Sequence, residues 1–136
     1  MFKFAAAAAA LPFFGARNAE AARDRLPDVT IDEKDAKVSR APFGDLRIYF
    51  DGPTDQLKAM TAGSLLLKAG QSPHPPHQHP EEEFMVITEG TGEISIDGKI
   101  TKVGPGSMMY CGANKLHGIV NTGKKPLLFY FYKWKA

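Results

Sequence analysis

A single cysteine, Cys111, is all the thiol this 136-residue chain carries. No intrachain disulfide and no thiolate metal cluster can form, and cysteine usage leaves the compartment open. Charge of one sign is equally scarce: 17 basic against 15 acidic residues give a formal net charge of +2. The densest basic group, Lys124-Lys125 with Lys133 and Lys135, is too sparse for a nucleic-acid footprint and reads as a solvated face. No apolar run is long enough for a stable membrane span. Sustained helical periodicity is missing from Phe43 to Ala136, which argues against a helical bundle. Histidine is rare too: the chain has four, and three of them fall where one metal ion can use them.

What is present suits a soluble globular domain. Hydrophobic residues make up 43% and charged residues 24% of a chain long enough to bury one core. Its N-terminus is less ordinary. Met1-Phe2-Lys3-Phe4 leads into six alanines and then Leu11-Pro12-Phe13-Phe14, and Ala19-Glu20-Ala21 follows as a small-x-small cleavage pattern. This fits a signal peptide over residues 1–21, and a periplasmic or secreted protein beginning at Ala22 is expected. The alternative is a cytoplasmic protein with an alanine-rich extension.

Residues 22–44 are polar and mixed in charge, and Pro27-Asp28 interrupts any long helix. This segment reads as an N-terminal arm, with Val29-Thr30-Ile31 as a short strand or a packing segment. Beyond it the texture changes to short strands. Leu46, Ile48 and Phe50 alternate with Arg47 and Tyr49; Thr61 to Ala69 forms a second strand and Phe84 to Thr88 a third. Ile94 and Ile96 run into Asp97-Gly98, a two-residue hairpin signal, and Lys99 to Val103 returns. Met108–Cys111, His117–Val120 and Leu127–Trp134 complete an all-β pattern of jelly-roll type. Gln56–Met60 is a loop or a single helical turn.

Between the second and third strands lies Gln71–Glu82, with four prolines and three histidines. Proline forbids regular pairing over most of it. His77 and His79, each followed or flanked by proline-biased extended backbone, share a face, and Glu83 shares another with Met85 and Ile87. That second face is the apolar interior, where an unpaired carboxylate is costly and needs a cation or a proton. Two imidazoles and a carboxylate suit a borderline divalent metal. The competing reading for each histidine is a solvated loop residue or a satisfied core group, and for His117 taken alone the two readings are evenly matched. His74, three residues upstream and flanked by prolines, reads as a rim or surface residue.

These residues resemble the two motifs of the cupin family. Gly70, His77, His79, Glu83 and Gly90 follow the first motif, with six residues rather than five after Gly70. Gly106, His117 and Asn121 match the second in register, with Gly112 where proline is usual and Asn114 where glycine is usual. Both substitutes favour turns, and Asn114 tolerates left-handed backbone. Thr91 to Pro105 separates the motifs, and the resemblance spans about 45–136.

The resemblance implies a double-stranded β-helix, the jelly-roll cupin barrel, as a domain over 45–136. It implies one divalent ion (Mn, Fe, Ni, Co, Cu or Zn) held by His77, His79, Glu83 and His117, with positions left for a substrate. Asn121 is then structural. Cys111 reads as a small apolar residue, Tyr110 as a strand aromatic rather than a second base, and Met85, Met108, Met109, Phe129 and Phe131 as barrel lining. The expected function is a metal-dependent enzyme acting on a small organic acid, enol or phenol, with dioxygenase chemistry favoured. Isomerase, decarboxylase or lyase chemistry is the alternative, as is a non-catalytic cupin that binds a small ligand. Small cupins commonly pair as homodimers, and Phe84, Val86 and the arm Val29–Ile31 are the surfaces expected to serve.

Overall fold

The computed structural model describes residues 25–136; the expected signal peptide, residues 1–21, lies outside them. Apart from one 3-10 turn, Glu33–Asp35, regular structure among the described residues is all β. None of their helices is long and apolar enough to cross a membrane. The strands are β1 (Lys37–Ala41), β2 (Gly44–Gly52), β3 (Ala59–Leu67), β4 (Glu82–Glu89), β5 (Gly92–Ile96), β6 (Lys99–Val103), β7 (Met108–Cys111), β8 (His117–Val120) and β9 (Leu127–Lys135). They form a six-stranded sheet, β1-β2-β3-β9-β4-β7, and a three-stranded sheet, β6-β5-β8, all antiparallel. This is the jelly-roll barrel.

Period-two alternation decides what the barrel contains. Leu65 and Leu67 on β3, Met85 and Ile87 on β4, Met109 and Cys111 on β7 and Leu127 and Phe129 on β9 point inward. Ile94 and Ile119 meet them from the small sheet. Cys111 is buried among them as a small apolar group, and burial pushes its thiol pKa up. The same alternation corrects one expectation: Met108 precedes the inward Met109, so it faces out and is 68% exposed rather than lining the barrel.

Two turn readings hold. Asp97 and Gly98 both take positive φ (47° and 82°), the geometry of a type I′ hairpin turn, and join β5 to β6. Asn114 takes φ 60°, filling the left-handed position where glycine is usual. Gly90 carries both reasons for glycine: its φ is +79°, and an added Cβ would lie 2.5 Å from the Pro126 carbonyl oxygen.

The arm differs from its sequence reading. Val29–Ile31 forms no strand, and Val29 is exposed. The arm's strand is β1, which lies along β2 in register Val38↔Arg47 and Ser39↔Leu46. Lys-Val-Ser-Arg-Ala has no apolar face of its own to announce a strand. Pairing supplies the structure there, because the β2 edge needs backbone partners. Gln56–Leu57 belongs to a loop held by the Thr54 hydroxyl, which accepts from both backbone amides.

Candidate metal centre

Three sections of chain converge at one end of the barrel. Glu83 comes from the start of β4 and His117 from the start of β8, while His77 and His79 come from the proline-rich loop between β3 and β4. Prolines keep that loop out of the sheets, so it is fastened by individual backbone bonds. His77 and His117 exchange a pair, N–H to O at 2.9 and 2.8 Å, as an isolated antiparallel bridge. Asn114 N–H donates to the His79 carbonyl at 2.8 Å, and Gly70 and Gln71 exchange bonds with Asn121 at the loop's entry. The left-handed Asn114 turn thus has a purpose: it aims an amide at the loop that carries two of the imidazoles.

A ligand nitrogen from each of His77, His79 and His117 lies within 4.8 Å of the other two. A first-row metal binds imidazole nitrogen at about 2.1 Å, so an ion held by all three rings would need them to close in. Ring tautomers are already set for it. His117 Nδ1 donates to the Lys115 carbonyl at 2.9 Å, and His79 Nδ1 lies 3.1 Å from the Glu81 carbonyl. Both therefore turn Nε2 inward, the arrangement that orients ligating imidazoles in metal sites.

Glu83 sits between them. It is 7% exposed, and its Oε2 lies 3.0 Å from Nε2 of both His79 and His117. Burial by itself would raise its pKa, but the hydrogen bonds and positive charge of His117 and His79 hold it below the ordinary carboxylate value. In return the Glu83 hydrogen bond raises His117, against the effect of its burial. His77 goes the other way, lowered to about 4 by partial desolvation and by repulsion from His74, His117 and His79. The buried carboxylate is thus charged and surrounded by nitrogen donors. A cation that replaces the shared protons would satisfy every group at once, so the donor set fits a divalent metal.

The donors open onto a cavity of about 200 Å³ floored by Leu65, Met85, Phe129 and Ile119. His74 stacks on His77, ring centroids 3.8 Å apart, at the rim, as its position between prolines indicated. Asn121 is fully buried and structural: its amide donates to the Leu67 and Lys125 carbonyls at 3.0 and 2.8 Å, and its Oδ1 accepts from Gly123 N–H. Tyr110 points away from the site, and its hydroxyl donates to Glu82 on the outer face.

One residue of this cavity escaped the sequence reading. Lys133, grouped there with surface lysines, lines the cavity beside Glu83. A signal was available: Leu127, Phe129, Phe131 and Lys133 are separated by two, so the inward face of β9 continues through the lysine.

A family model described as "Cupin domain" matches residues 63–132, about half of the chain. No curated protein matches the sequence. Among solved structures, an RmlC-like cupin from Shewanella frigidimarina superposes with TM-score 0.67 at 14% identity, covering 83% of this chain and 95% of that one. KdgF from a Halomonas species gives 0.63 at 17% identity, covering 77% and 94%. A Thermotoga maritima protein described as a predicted oxalate decarboxylase gives 0.63 at 18% identity, covering 79% of this chain and all of that one. At these identities the likeness is one of fold.

Proposed function

The chain belongs to the cupin family, and on that footing we propose that it is a metal-dependent enzyme acting on a small organic acid, enol or phenol. Its ligands are His77, His79, Glu83 and His117, and its reaction is a dioxygenation. The observation that carries the reading is the convergence of three imidazoles, two of them bonded to one buried carboxylate, at the wall of a small apolar cavity. A bound divalent ion would polarise chelating substrate oxygens there and, as iron, copper or manganese, give access to dioxygen chemistry. The protein's own part is orientation and exclusion. The Lys115 and Glu81 carbonyls fix two of the rings, and the floor of Leu65, Met85 and Phe129 keeps water from the reacting end of the substrate. Glu83 is taken up as a ligand, so no carboxylate is left on the cavity wall to serve as a general base. Oxygen chemistry on an already acidic substrate makes the smallest demand for one.

A second reading is non-oxidative: decarboxylase, isomerase or lyase chemistry in the same cavity, with His74 at the rim as the available base. The neighbour described as a predicted oxalate decarboxylase supports it through fold alone. Metal analysis of the purified protein, followed by oxygen-electrode and product assays with diketones, catechols and flavonols, separates the readings. Oxygen uptake bears out the first, conversion without uptake the second, and tight ligand retention without turnover a binding cupin. Export with cleavage after Ala21 belongs to the same proposal, and N-terminal sequencing of the native protein tests it. So does a homodimer, supported by the exposed aromatics Phe84, Tyr110 and Tyr132 on the outer face of β4, β7 and β9; a monomer by light scattering at high concentration overturns it.

A further inference from the structure

We infer that Lys133 is the cation that anchors a carboxylate of the substrate, making this a site for carboxylate-bearing chelators; the inference rests on the metal-site reading above. Lys133 lies directly opposite Glu83 in the β4–β9 register, and on its other side opposite Thr61 of β3. Directly opposed residues share a face and hold their Cβ atoms about 5 Å apart. The ammonium-bearing chain therefore rises from the strand next to the metal ligand and lines the same cavity. It is half-buried there.

Its neighbours leave it unpaired. Glu83 is turned to the two imidazoles, and Asp51, the next carboxylate along that row, accepts from the Thr61 hydroxyl at 2.9 Å. Among the described residues, no carboxylate lies within 4.0 Å of the Lys133 ammonium. Three neutral imidazoles and one carboxylate do not cancel a divalent charge, so the loaded site stays net positive and the lysine adds to it. An apolar cavity holding two adjacent, uncompensated positive centres favours an anion that can satisfy both. The fitting ligand chelates with one end and presents a carboxylate, one or a few carbons away, to Lys133. A neutral phenol or diketone leaves the ammonium without a partner.

The test uses the full chain loaded with cobalt(II), whose visible spectrum reports ligand entry. The probes are N-hydroxysuccinamic acid, a hydroxamate chelator with a terminal carboxylate, and its methyl ester. The expected result is a preference for the acid over the ester of about tenfold to a hundredfold, the worth of a charge-assisted hydrogen bond. In K133M that ratio collapses toward unity, and in K133R most of it returns. Cobalt stoichiometry of each variant reports that its fold and metal site persist. Equal Kd values for acid and ester in the unaltered protein, or an undiminished ratio in K133M, overturn the inference while leaving the metal reading intact. A chain that takes up no cobalt overturns both.

Discussion

The four proposed ligands come from two kinds of chain. Glu83 and His117 are strand residues, 7% and 3% exposed, and their backbones belong to the β ladders of the two sheets. His77 and His79 are carried by a loop that contributes no side chain to the buried core, and His77 is exposed to solvent. One half of the site is therefore built by folding itself, and the other is docked onto it by a few backbone hydrogen bonds. The difference implies a division of labour: the strand half is coupled to the stability of the barrel, whereas the loop half can be lost without unfolding it.

The largest effect expected from that division is on metal content. His77→Ala with His79→Ala should reduce stoichiometry to near zero while costing the metal-free barrel only the part-buried His79–Glu83 hydrogen bond, about 1 kcal/mol. His117→Ala should lose metal and also destabilise the metal-free barrel more, by about 1–3 kcal/mol, because it takes a donor from Glu83 and also empties the space of a ring only 3% exposed. Glu83→Ala should weaken binding without abolishing it, since the three imidazoles remain. Metal analysis paired with melting curves decides each case; a double loop variant that melts far below the unaltered protein would end the comparison.

Acidity comes next. Imidazoles ligate only when neutral, and Glu83 raises His117 in the metal-free protein, so His117 is a ring that must give up a proton. His77, lowered to about 4, is already neutral across the physiological range and adds no such cost. Since the folded pKa of His117 lies above 6.5, affinity should start to fall as pH drops through neutrality. Occupancy at limiting metal should be largely lost by about pH 5. Occupancy that stays flat down to about pH 4 would exclude a site of three histidines.

Asn121, just past the end of β8, tests the barrel side through its side chain. Its amide closes the chain over Leu67 and Lys125 and its oxygen holds Gly123, so Asn121→Ala strands one buried and two partly buried backbone groups. Chemical denaturation should show a loss of about 2–3 kcal/mol.

Much of this was legible in the sequence, for a physical reason. Turns announce themselves by residue type, so Asp97-Gly98 and Asn114 could be read directly; inward strands announce themselves by alternation, so Met85, Ile87 and Phe129 could too. β1 could not, because its five residues have no buried face and exist as a strand only through β2. Lys133 was misread for a related reason. Its charge suggested solvent, whereas strand parity placed it inside, and only the register with Glu83 shows which signal wins. That His117 meets the loop is a fact of topology that no local pattern contains.

The smallest and most discriminating perturbation lies where the two halves touch. Gly118 follows His117 on β8 and faces the proline loop: an added Cβ would lie 3.2 Å from Pro76 Cα and 3.3 Å from its Cγ. Those contacts are a few tenths of an ångström too close, so something must give. Gly118 sits in a strand paired to Ser95, held by β5, whereas Pro76 belongs to a segment fixed mainly through the His77–His117 bridge. The loop is the softer partner and should move, taking the His77 ring with it. Gly118→Ala should therefore leave the melting of the metal-free barrel within about 1 kcal/mol of the unaltered protein. Metal Kd should rise about tenfold, because positions held to within about 0.5 Å are what a preorganised site depends on. Isothermal titration with cobalt(II) beside a denaturation curve measures both quantities on one preparation. If stability fell and affinity held, the loop would be the rigid half and the strands the yielding one, and the division of labour would have to be inverted.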